Sequence, residues 1–258
     1  MSGGALRPRC GPGAKLSRLL LVALVVAHPL QAFAQEPAPG SIRQPTVFRW
    51  WHGALVVGGL SAFMLFDEPV QRLVQSGRSG SKDDLARTVR RFGQIEVYGT
   101  VTAGLVAAGL VSGNDELTRT GGRLAATLAL AGAASMASKL LAGRPRPEHS
   151  LDADGFVPFS GQAAMPSGHT AMAFAFATAL SDDIDRTWAT VGLYTLATGV
   201  GWSRINDNRH WLTDVAAGAA LGITSAKVMN GRWRVFGLRP PSVLLGPRHA
   251  GLAWRVEF

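Results

Sequence analysis

Cysteine is almost absent from this 258-residue sequence, Cys10 being the only one. A lone thiol forms no internal disulfide and offers no thiolate pair to a metal. Aromatic residues make up 8% and charged residues 17%, against 47% hydrophobic residues. With few aromatics and an apolar mass of Ala, Leu, Val and Gly, the composition argues against a β-rich fold and for closely packed helices. Basic side chains are not interleaved with aromatic ones, so nucleic acid is not an expected partner. No group of His, Asp and Glu has metal-ligand spacing, and no metal or other cofactor is expected. Internal repeats and low-complexity tracts are also missing.

What is present begins with the N-terminus. Arg7, Arg9, Lys15 and Arg18 precede an apolar run from Leu19 to Ala27, and Ala32-Phe33-Ala34 supplies a small-x-small site before Gln35. This pattern predicts a secretion signal over residues 1–34, so Cys10 goes with it. Cys10 stands before the apolar run, where it cannot serve as the lipid-acceptor cysteine that would follow one. A first membrane helix is the competing reading, weakened because the run is short and ends at His28-Pro29. Losing four basic and no acidic residues lowers the net charge from +9 to +5. A linker rich in Pro, Gly and Gln follows over 35–48.

Residues 49–230 form the expected main domain. Apolar segments recur at Trp50 to Phe66, Val97 to Ser112, Leu124 to Leu141, Thr170 to Leu180, Trp188 to Trp202 and Trp211 to Met229. They predict an all-α bundle of six core helices. Leu85, Val89 and Phe92 at helical spacing among Arg87, Arg90 and Arg91 add a short amphipathic helix. The tail, residues 231–258, changes character: Pro240-Pro241 and Gly246-Pro247 punctuate it, and Leu252, Trp254, Val256 and Phe258 alternate, as in a hairpin. Most core segments fall short of the roughly 20 apolar residues that cross a bilayer comfortably. Their richness in Gly and Ala suits a buried bundle as well as a membrane one. If all six cross, Lys139 and the basic loop from Arg72 to Arg91 face the cytoplasm, in accord with the positive-inside rule. An exported site needs the opposite side. The expectation is therefore a periplasmic or membrane-associated bundle in the cell envelope with its site facing the periplasm, the integral membrane form being the alternative.

Three short stretches at helix boundaries carry chemistry. They are Lys139-Leu-Leu-Ala-Gly-Arg144-Pro-Arg146-Pro147, Pro166-Ser167-Gly168-His169, and Ser203-Arg204 followed by His210 and Asp214. His210 and Asp214 are four apart and share a helix face, so a carboxylate can orient the imidazole and leave one ring nitrogen as a nucleophile. Alone, such a pair is more often an ordinary surface contact. Lys139, Arg146 and Arg204 can balance the charge of a phosphoryl group without a divalent metal. Pro166-Ser167-Gly168 reads as a helix start whose amides can meet an anion.

In order and spacing the three stretches match K-x6-RP, PSGH and SR-x5-H-x3-D. The sequence thus resembles the type-2 phosphatidic acid phosphatase and vanadium haloperoxidase superfamily over positions 139 to 214, with a helical frame from about 50 to 229. The resemblance implies the acid phosphatase/haloperoxidase bundle and a phosphatase that forms a phosphohistidine on His210. Asp214 would sit behind it, His169 would act as general acid and then base, and Lys139, Arg146, Ser167, Gly168 and Arg204 would form the phosphate cradle. The spacing from Lys139 selects Arg146, while Arg144 is left a supporting part. The implied substrate is a lipid phosphate or polyprenyl diphosphate, or a small phosphate ester for a soluble member. A vanadium-dependent haloperoxidase and a non-catalytic envelope protein that binds phosphate or lipid are the competing readings. His149 reads as a solvated loop residue, and Asp182, Asp183 and Asp185 as a solvated acidic turn.

Overall fold

The computed structural model describes residues 45–235, 242–246 and 249–253. The predicted secretion signal, most of the linker and residues 254–258 lie outside these. Among the described residues the chain forms α1 (Trp50–Met64), α2 (Asp67–Ser76), α3 (Gly80–Arg91), α4 (Ile95–Ser112), α5 (Asp115–Ala142), α6 (Gly168–Ile184), α7 (Thr187–Asn206) and α8 (Leu212–Met229). The four short strands are β1 (Thr46–Phe48), β2 (Trp233–Val235), β3 (Ser242–Gly246) and β4 (His249–Ala253). β3 and β4 make an antiparallel hairpin within the segment read as one, and β1 pairs in parallel with β2. The β1–β2 pair closes the bundle across its sequence ends, using residues 46–48 of the stretch read as linker.

Two local devices set the helix ends that matter most. Asn114 caps α5, its side-chain oxygen accepting from the amides of Glu116 (3.0 Å) and Leu117 (3.2 Å), and Asp115 and Glu116 complement the helix dipole. At the other end Gly143 turns the chain with φ +55°, and its amide donates to the Lys139 carbonyl (2.9 Å). A Cβ there would lie 1.7 Å from the Val157 carbonyl oxygen. Only glycine permits both the left-handed turn and the close return of the 143–167 loop. That turn delivers Arg144 into the interior.

α6 is the central helix and packs against α5, α7 and α8. Ala171, Ala173, Ala175, Ala177 and Ala179 are all buried, so neighbouring backbones come close. On α8, a Cβ at Gly222 would stand 2.3 Å from the Ala171 carbonyl oxygen, and one at Gly218 would stand 2.5 Å from that of Ser167. Small residues four apart thus seat α8 against α6, the packing that membrane helices favour.

Beside this core, large apolar side chains stand exposed while several polar ones are enclosed. No residue of α1 is buried, and Trp50, Leu55, Val57, Val111, Met136, Leu141 and Trp188 are exposed, while Thr127, Arg144, Thr170, Thr178 and Asp214 are fully enclosed. Gly80–Ser112 and Asp115–Ala142 are long and apolar enough to cross a bilayer, and α1 with α2, bent by 49°, adds a third if it counts as one span. The exposed apolar belt together with these lengths favours the membrane-spanning alternative over a bundle bathed in water.

Candidate active site

The three motif stretches converge at the end of the bundle where α5 and α7 finish and α6 and α8 begin. Lys139 lies in the last turn of α5, Arg204 in the last turn of α7, Ser167 caps α6, and Asp214 sits in the first turn of α8. Arg146 lies on the 143–167 loop, and His210 in the link between α7 and α8.

His210 is 3% exposed. Its Nδ1 lies 2.8 Å from the Ala164 carbonyl oxygen and 3.6 Å from Asp214 Oδ2. A carbonyl can only accept, so Nδ1 carries the proton and Nε2 keeps the lone pair. The i,i+4 spacing implies Asp214 as the sole orienting group; the geometry divides that task between this carboxylate and the Ala164 carbonyl. Burial pushes the His210 pKa below its ordinary value, with Asp214 opposing the shift and Lys139 and Arg204 adding to it. The ring is therefore held neutral, as a nucleophile must be.

The neighbouring carbonyl does a related job. Ala163 accepts from Lys139 Nζ at 2.6 Å, so two successive backbone carbonyls fix Lys139 and His210. Lys139 senses the charges of Arg146, Asp214 and Arg204. His169, the second residue of α6, senses those of Arg204, His210, Arg90 and Lys139. Arg204 is 8% exposed; one of its terminal nitrogens reaches Asp207 Oδ2 at 3.2 Å, while its Nε is buried with no hydrogen-bond partner among the described residues. An unpaired buried donor in a cluster of cations is a place for an anion.

Ser167 and Gly168 serve chiefly through the backbone. Ser167 Oγ accepts from Thr170 Oγ1 (2.9 Å), and its amide donates to the Asp214 carbonyl (2.8 Å). The first helical bond of α6 runs from the Ala171 amide to the Ser167 carbonyl (2.9 Å), so the preceding amides at the helix start are available to an anion. A Cβ on Gly168 would rest 3.8 Å from Lys139 Cε. Arg146 stands further out and approaches Glu148 at 3.6 Å, a carboxylate that also meets Arg209 (2.5 Å) and the exposed His149 (3.4 Å).

Two residues outside the predicted set proved central. Arg144 is fully buried; its terminal nitrogens donate to Asp214 Oδ1 (2.7 Å) and Asp67 Oδ2 (2.5 Å), and both Nε and one terminal nitrogen reach the Ala153 carbonyl (2.9 and 2.7 Å). Asp67, also fully buried, accepts from the Thr213 amide (2.7 Å) and hydroxyl (2.9 Å). Arg144 was visible as a second Arg-Pro dipeptide. The sign of Asp67 was its place at the head of Asp67-Glu68-Pro69, an acidic helix start with proline in the first turn.

Similarity to known proteins bears on the fold and on the kind of protein this chain resembles. Residues 120–235 match the family model of the PAP2 superfamily. Over those residues the chain is similar to the PAP2 superfamily. A curated relative, lipid A 1-phosphatase of Porphyromonas gingivalis, is 45% identical over 98 residues, which are 37% of this chain and 20% of that protein. The chain thus spans about a fifth of that relative's length. Among solved structures, Aquifex aeolicus LpxE superposes with a TM-score of 0.50 at 23% identity, over 64% of this chain and 94% of that one. The first transmembrane PAP2 type phosphatidylglycerolphosphate phosphatase of Bacillus subtilis gives 0.53 at 17%, over 70% and 92%. The fold is the helical fold of these two structures, and two of its described helical segments are long and apolar enough to cross a bilayer.

Proposed function

We propose that this protein is a metal-independent lipid phosphatase of the cell envelope, with its site opening to the periplasm, that works through a phosphohistidine on His210. The observation that carries the reading is the meeting of a neutral, oriented His210 with an unpaired Arg204 Nε, Lys139 and the free amides of α6 at one end of the bundle. Lys139, Arg146 and Arg204 would hold the equatorial oxygens while His210 Nε2 attacks phosphorus in line. The N–P bond forms as the P–O bond to the leaving group breaks, and His169 gives that oxygen its proton. Water then attacks phosphorus, losing a proton to His169, and the N–P bond breaks to release phosphate and neutral His210. The relative's name makes lipid A phosphate one candidate substrate, beside phosphatidic acid and polyprenyl diphosphates, and the apolar belt brings such lipids alongside the bundle.

Phosphate release from a panel of these lipids in detergent, with chelator present, tests the reading. Wild type should retain full activity with chelator, and His210→Asn should lose at least about 10⁴-fold. Full activity in that variant, or loss on chelation, would end the proposal.

A further inference from the structure

Charges alternate along one buried line: His210, then Asp214 at 3.6 Å, Arg144 at 2.7 Å, and Asp67 at 2.5 Å. Asp67 comes from α2, outside the three motif stretches, and it holds α8 twice. One grip runs through Arg144 to Asp214; the other is direct, on the amide and hydroxyl of Thr213, the residue before Asp214. Its carboxylate thus meets one of the amides that α8 leaves without a helical partner. Arg144 is further enclosed by the rings of Phe156 (5.1 Å) and Trp211 (5.6 Å), so water does not screen the line.

The charge balance gives this line a purpose. Arg144 alone would partly offset the field of Asp214 at His210. With Asp67 present, two carboxylates face one guanidinium, and the surplus negative charge is available when His210 becomes cationic on phosphorylation. We propose that Asp67 is a positioning residue for the reaction, fixing Asp214 and the start of α8 and offsetting Arg144 so that Asp214 acts on His210. The inference rests on the phosphohistidine reading above. The other charged groups facing His210 are Lys139 from α5, His169 from α6 and Arg204 from α7, and none is altered in the variants below.

The test uses full-length protein in detergent with phosphatidic acid micelles, across pH. His210 must be neutral to attack, so its pKa sets an acidic limb of kcat/KM. Asp67→Asn removes a negative charge, lowers that pKa and moves the limb to lower pH, by about half a unit or more. Arg144→Met removes a positive charge and moves it to higher pH. In Asp67→Asn, kcat should fall about tenfold with KM little changed, the scale at which outer partners of a functional histidine act. The paired variant should show a limb near that of wild type and a kcat still reduced, because the grip on Thr213 is weakened. Helical circular dichroism establishes which variants fold. A limb at the wild-type pH in either folded single variant overturns the inference, as does a folded paired variant with wild-type kcat. If both single variants fail to fold, the paired variant decides by its kcat. Failure of the phosphatase reading shows separately, as wild type that releases no chelator-resistant phosphate.

Discussion

At the C-terminal end of α6, Asp182 accepts from Lys227 (2.7 and 3.0 Å) and Asn230 (3.0 Å) and meets Arg232 at 3.3 Å, while Asp183 pairs with Arg123 at 2.8 Å. At the N-terminal end the cations outnumber their carboxylate partners: Lys139 bonds a neutral carbonyl, and Arg204 keeps an unpaired Nε. Both ends bury charge in the same bundle, yet one matches its two enclosed carboxylates, Asp182 and Asp183, with cations and the other holds positive charge in reserve. A matched cluster pins α8 and the chain after it to α6. An unmatched one suits an anion, whose charge would offset the cost of desolvating the cations.

Substitutions at the two ends should therefore fail in different ways. Arg204→Ala removes a donor proposed to hold the transferring group and should lower kcat by about 10²–10³-fold, with thermal stability in detergent close to wild type; an unfolded protein instead would place Arg204 with the structural pins. Lys227→Met should do the reverse. It leaves Asp182 with weaker partners, costs up to about 3 kcal/mol of stability in a denaturation series, and leaves kcat and KM of the folded protein unchanged. A changed KM there would mean that the distal cluster communicates with the site, and the contrast between the two ends would have to be redrawn.

The site's residues were legible because their chemistry is tied to short spacings: Lys139 to Arg146, Ser167 to His169, Arg204 to His210 and Asp214. Helix positions followed from the apolar runs, although the run read from Leu124 belongs to a helix that starts at Asp115, where Asn114 caps it. What sequence did not reveal depends on distant pairing. Asp67 has no motif around it and gains its meaning only when α2 folds back onto α8. Ala163 and Ala164 act through carbonyl oxygens, which carry no side-chain signature. Asp182 and Asp183 read as a solvated turn because three nearby aspartates usually are one, but Lys227 and Arg123 arrive from other helices and enclose them. The parallel pairing of Thr46–Phe48 with Trp233–Val235 likewise joins segments that share no local signal. The case for a membrane changed for a related reason. Segment lengths were ambiguous, and the exposed faces of α1, α4 and α5 appear only once the packed faces are known.

In the proposed mechanism His210 carries the phosphoryl group. Wild-type protein mixed with phosphatidic acid labelled in its phosphate and quenched within the first turnover should hold acid-labile, base-stable label on His210, and His210→Asn should hold none. Label retained by His210→Asn, or wild type that turns over without any labelled histidine, would contradict it.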